Sequence, residues 1–158
     1  MKKLVYVLVL LLFLAACGGG TVTVNDIPAY PEAQALEPGT DPVADTLVDN
    51  MMQDAQIRDS VNVGGQIEQK AYRLPAGTSW SDVESFYNNQ LGDEGWENGL
   101  GGIAGNIAGD VMSTVNEGND MMQTGIWSKG KQTLTLVRVA ESVDENGTFL
   151  LIMSLATN

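Results

Sequence analysis

The sequence predicts an α+β domain: an antiparallel sheet of four to five strands with one main helix packed on a face, plus a second, N-terminal helix. Three observations carry this. Residues 78–95 join a capping signal to an apolar stripe at three- and four-residue steps and a glycine stop. Residues 122–156 hold three runs rich in Thr, Val, Leu and Ile, parted by short Gly-containing turns, which is hairpin spacing. Residues 66–74 form a further strand-like run, stopped by Pro75.

Taken in order, Gly18-Gly19-Gly20 through Asp26 reads as a flexible tether, because glycine adds chain entropy and no core side chains. Ile27-Pro28-Ala29-Tyr30-Pro31 is stiffened by two prolines, with Ile27 and Tyr30 placed to pin it to the domain. Residues 32–39 read as loop. Asp41-Pro42 signals a helix start, Asp41 as N-cap and Pro42 in the first turn. Val43, Leu47, Val48, Met51 and Met52 then share one side, so a helix is expected from Pro42 to Gln56. The main helix is capped by Thr78 or Ser79, carries Asp82 and Glu84 in its first turn, and presents Val83, Phe86, Tyr87 and Leu91 with Trp80 beneath them. Gly92 or Gly95 ends it, and Trp96 opens a short extended piece. Gly99 to Gly125 is a separate block rich in Gly, Ala, Asn and Met. Strands are then expected over 122–128, 132–140 and 148–156, with turns at Lys129-Gly130 and at Asp144-Glu145-Asn146-Gly147.

The N-terminus carries a different kind of signal. Lys2-Lys3 precedes an unbroken apolar run from Leu4 to Leu14, too short for a permanent span, which takes about 20 apolar residues. Leu14-Ala15-Ala16-Cys17 follows directly and resembles the lipobox of bacterial lipoproteins. The resemblance implies cleavage between Ala16 and Cys17, a diacylglycerol thioether on Cys17, and further N-acylation such as palmitate. Two or three acyl chains make a stable anchor, at ~0.8 kcal/mol per buried CH₂. The expected organisation is therefore a signal peptide over 1–16, a lipidated tether over 17–26 and one domain over 27–158, with 99–125 a loop or insertion. Gly18 after the cysteine is permissive for outer-membrane sorting in a two-membrane organism. Otherwise the anchor places the chain on the outer face of the cytoplasmic membrane.

Composition narrows the chemistry. Lys2 and Lys3 leave with the signal, so the expected mature chain sets six basic against 20 acidic residues, a balance of −14. Phosphate backbones would repel such a chain, which argues against nucleic-acid binding. The same charge disfavours contact with an anionic bilayer, so the lipid on Cys17 is the expected membrane contact. Cys17 is the one cysteine, and there is no histidine. Ser-His-Asp and Cys-His hydrolase arrangements are thereby excluded, as is the commonest ligand for zinc and copper.

A second resemblance rests on Tyr30-Pro31, Leu74-Pro75, Phe86-Tyr87-x-x-x-Leu91-x-x-x-Gly95-Trp96 and the C-terminal hairpin. Together they are similar to small uncharacterised bacterial lipoprotein domains that share an FYxxxLxxxGW motif. That is a packing motif, and it implies no activity.

The remaining motifs have plain readings. Gly99-Leu100-Gly101-Gly102-Ile103-Ala104 matches a dinucleotide fingerprint in letters, but lies among antiparallel hairpins and not in a βαβ unit. Gly101, Gly105 and Gly109 recur at four-residue spacing with Ile103, Ile107 and Val111 between them. The stretch reads as loop or short surface helix, or alternatively as a partner-docking helix through those three residues. Met51-Met52 and Met121-Met122 read as core filling, since adjacent thioethers chelate copper poorly. Asp93-Glu94 with Glu97, and Asp144-Glu145, read as solvated turns; a carboxylate-dependent hydrolase would need two such acids about 5–10 Å apart. Trp80, Tyr87 and Trp96 are either core or the lining of an apolar ligand groove between helix and sheet. No cofactor and no metal are expected. The leading expectation is a non-enzymatic, lipid-anchored envelope module that binds or assembles with an envelope protein, with a small apolar-ligand carrier as the alternative.

Overall fold

The computed structural model describes residues 21–60, 65–99, 116, 118–141 and 147–158. Its elements in chain order are β1 (Gln34–Leu36), α1 (Pro42–Ser60), β2 (Gln66–Arg73), α2 (Trp80–Gly92), β3 (Glu97–Asn98), β4 (Met122–Lys129), β5 (Gln132–Ala140) and β6 (Phe149–Thr157). All six strands form one antiparallel sheet in the order β1-β2-β6-β5-β4-β3. This is the expected α+β architecture with one correction: among the described residues the strands number six, not four to five. The additional strand is β1, inside the stretch expected to be loop. It is three residues long, and a run that short leaves no alternation to read.

Helices cover both faces of the sheet. Successive strand side chains point to opposite faces, and β6 shows this most clearly. Leu151, Met153 and Leu155 join Tyr72, Trp127, Leu134 and Leu136 beneath Val83, Tyr87 and Leu91 of α2. Leu150 and Ile152 face the other way, against Ala44, Leu47, Val48 and Met51 of α1. Residues 150–155 of β6 are all buried, and the strand is a nearly continuous apolar run broken by Ser154, as a strand covered on both faces should be.

The helix starts are made by the expected caps. Oδ1 of Asp41 accepts from the backbone N–H groups of Val43 and Ala44, both at 2.9 Å. Ser79 Oγ accepts from Asp82 N–H while the Asp82 carboxylate accepts from Ser79 N–H, closing a capping box. Proline pinning also holds: Ile27 is buried, Tyr30 meets Phe86 edge-on at 5.3 Å, and Tyr87 donates to the carbonyl of Pro28 at 3.0 Å. The methionines depart from expectation. Met51 packs on the α1 core, but Met52, Met121 and Met122 are 39–46% exposed. Met52 turns off the apolar side of α1, and the other two stand at the start of β4.

Residues 1–20 with Ala16 and Cys17, the segment with Ile103, Ile107 and Val111, and residues 144–146, where a turn is expected, lie outside the described residues. Among the described residues no helix is long and apolar enough to cross a membrane.

Candidate functional site

Trp80, Tyr87 and Trp96 come together on the α2 face, in a filled core. Tyr87 is fully buried, Trp96 nearly so, and Trp80 partly, with Trp127 between helix and sheet. The Tyr87 and Trp127 rings lie 6.1 Å apart, and Trp127 Nε1 donates to Asn88 Oδ1 at 2.8 Å. Burial raises the Tyr87 phenol above its ordinary pKa, as expected of a hydroxyl that packs and donates one hydrogen bond. These aromatics therefore hold α2 to the sheet.

The same layer contains Arg138, 95% removed from solvent on a strand otherwise lined with leucine. Its guanidinium carbon stands 3.3 Å from the centre of the Phe149 ring, and it donates to Gln123 Oε1 and to the Thr78 carbonyl. Cation–π contact and carbonyl dipoles offset the loss of hydration. Burial still lowers its pKa from the ordinary arginine range. Arg138 ties β4, β5 and β6 to the residue just before the α2 cap.

An open space lies on the opposite face. A cleft of about 500 Å³ separates α1 from the β1–β2 corner of the sheet. Ala44, Asp45, Val48 and Asp49 of α1 form one wall, because steps of three and four residues share a helix face. Ala35 and Leu36 of β1, continuing into Glu37 and Pro38, form the second wall. Gln69, Lys70 and Ala71 of β2 form the third, and Asn25 stands at the rim.

The cleft is built and braced. Gly39 N–H donates to both carboxylate oxygens of Asp45, at 3.0 and 3.1 Å, fastening the turn after β1 onto α1. Gly39 adopts φ +84°, a left-handed geometry that favours glycine and lets the turn close. At the other end, Arg73 Nη2 donates to Asp41 Oδ2 at 2.6 Å and to Glu141 Oε1 at 2.8 Å, while Nε donates to Glu141 Oε2 at 3.2 Å. The guanidinium thus binds the α1 cap to β2 and to the end of β5. It also holds the Glu141 carboxyl down to about 2.

Two features of the cleft concern ligands. Three acidic residues line it, Glu37, Asp45 and Asp49, whereas Lys70 stands on β2 at a position whose side chain points to the opposite, α2 face. Gln69 lines the cleft with both amide atoms of the side chain buried and neither hydrogen-bonded among the described residues. An unsatisfied buried polar group costs roughly 1–3 kcal/mol, so such an amide calls for a partner. Sequence reasoning missed this site. Its residues come from four separated stretches, and Glu37 and Pro38 fell within presumed loop. The one available signal was Pro38 itself, which cannot donate a ladder hydrogen bond and so stops β1 short.

The described residues hold no group of three or more acidic, histidine or cysteine side chains placed to bind a metal ion. No family model, curated protein or solved structure matches the chain.

Proposed function

We propose that this chain is a lipid-anchored protein of the cell envelope that acts by binding and not by catalysis, and that its partner occupies the cleft between α1 and the β1–β2 corner. The anchor reading is supported by Leu14-Ala15-Ala16-Cys17 after a basic pair and a short apolar run. The binding reading is carried by one observation: a braced cleft of about 500 Å³ whose wall contains the buried, unpaired amide of Gln69. The anchor would sit on the outer membrane of a two-membrane organism, or else on the outer face of the cytoplasmic membrane.

Each half has its own test. Cys17→Ser should release the protein from the membrane fraction into the soluble envelope fraction, and wild-type-like retention would sink the anchor. For the cleft, a photo-crosslinking residue is placed at Asp49 on its wall, or at Gln90, exposed on α2 across the sheet, in full-length protein in native membranes. A discrete adduct from position 49 and none from 90 is the expected result. Equal labelling from both positions, or none from 49, would remove the cleft as the binding site.

A further inference from the structure

We infer that the occupant of the cleft is an extended, cationic peptide segment of a partner protein, added as a further antiparallel strand along the open edge of β2 at Ile67 and Gln69. The inference rests on the binding role proposed above and narrows it to one partner chemistry.

The argument begins with hydrogen-bond direction. Leu74 N–H donates to the Phe149 carbonyl at 2.8 Å, one residue beyond the β2–β6 ladder. In an antiparallel pair, hydrogen-bonded positions alternate. Tyr72, Lys70 and Glu68 therefore direct their backbone groups to β6, and Arg73, Ala71, Gln69 and Ile67 direct theirs to the other edge. β1 takes up Arg73 and Ala71, opposite Gln34 and Leu36. The next position opposite Gln69 would be Pro38, which has no N–H, and the chain turns away there. Among the described residues, no strand pairs with Ile67 or Gln69 on this edge.

The other end of the sheet is treated differently. On β4, the Asn116 side-chain amide donates to the Thr124 carbonyl at 2.8 Å and accepts from Thr124 N–H at 2.9 Å, as a neighbouring strand would. Gly99 N–H then donates to the Ile126 carbonyl at 2.7 Å, and β3 continues the pairing at Trp127 and Ser128. Open edges are commonly covered because they recruit other chains. Among the described residues, the β4 edge is met at Thr124, Ile126, Trp127 and Ser128, while the β2 edge beside the cleft is unpaired at Ile67 and Gln69.

Register then assigns the chemistry. A strand paired with Ile67 and Gln69 places the side chains opposite them on the α1 face of the sheet, where Ala71 and Ile152 already point. Those side chains would enter the cleft between Gln69 and the carboxylates of Asp45 and Asp49. A lysine or arginine there complements the charge. A second copy of this chain is disfavoured, since it would bring the same carboxylates and the same net negative charge.

The probe is the peptide acetyl-Lys-Val-Lys-Val-Lys-Val-amide, with its Glu-for-Lys counterpart and a form carrying alternate N-methyl amides as controls. These are titrated into the full chain in neutral detergent micelles and followed by amide NMR and hydrogen exchange. The lysine peptide should bind about tenfold or more tightly than either control, and should slow exchange of the Ile67 and Gln69 amides about tenfold. Ile67→Pro should abolish binding while leaving the β2–β6 ladder intact, because the Ile67 N–H points away from β6. Asp49→Lys, on the exposed surface of α1, should weaken the lysine peptide about threefold or more, with the effect shrinking at high salt. Peptide binding without protection at Ile67 and Gln69 would overturn strand addition, as would protection of those amides in the free monomer. Protection that rises with protein concentration and no peptide would assign the edge to a second copy and overturn the inference. Loss of the Asp49 crosslink described above would instead mark failure of the binding role itself.

Discussion

Gly125 stands where β4 passes beneath two tryptophans. A Cβ built on it would lie 2.6 and 2.8 Å from ring atoms of Trp127 and 3.1 Å from Trp80, and Trp127 is buried with no room to retreat. Gly125→Ala should therefore cost about 1–3 kcal/mol, read as a lower urea midpoint at unchanged slope. Glu141 acts through charge. Its carboxyl is held at about 2, against an ordinary 4.5, chiefly by the Arg73 hydrogen bonds. A folded-state pKa below the unfolded one stabilises above the unfolded value, and that stabilisation fades as pH falls through the folded value. Stability should accordingly drop between pH 4.5 and about 2 more steeply in the native chain than in Glu141→Gln, measured by urea melts across that range. An equal slope in the two proteins would show that Arg73 does not hold this carboxylate in solution.

The two helices show how element-level signals differ in strength. The α2 cap was legible because Ser79, Asp82, Val83 and Leu91 fall at spacings that only a helix satisfies, and the box forms with both hydrogen bonds. Ser79→Ala should lower stability by about 1 kcal/mol, with loss concentrated in the exchange protection of Asp82 and Val83 amides. Asp41 serves a second purpose. It caps α1 through Oδ1 and accepts from Arg73 through Oδ2, so Asp41→Ala should cost more than the Ser79 change. The strands were legible where alternation runs for eight or nine residues, as in β4 and β5. β1 was not, because its three residues acquire strand geometry only by pairing with Arg73, Tyr72 and Ala71 of a segment more than 30 positions away.

At the scale of the molecule, one sheet serves two cores. Leu151 and Ile152 are adjacent in β6, yet one packs beneath α2 and the other beneath α1. Leu151→Ala and Ile152→Ala should each cost about 2–5 kcal/mol. All three tryptophans lie on the α2 side, so fluorescence follows that layer, whereas far-ultraviolet dichroism follows both helices. The two signals should melt together in either variant. A separate early dichroism transition in Ile152→Ala would show that α1 detaches on its own.

The sequence by itself determined the α+β class, the Asp41 cap, the α2 cap to within Thr78 or Ser79, the C-terminal strands and the Phe86-Tyr87–Leu91–Trp96 packing block. Each of these is written in contacts within about ten residues, or in a periodicity that burial imposes on a single element. Its lack of histidine also rules out the histidine-dependent hydrolase arrangements. Only the tertiary structure decided which edge of the sheet is met and which is left unpaired among the described residues. That depends on Asn116 reaching Thr124, on Gly99 reaching Ile126, and on Pro38 ending β1 opposite Gln69. The cleft arises from the same long-range placement: α1, β1 and β2 each supply a wall, and none of them alone encodes the space between them.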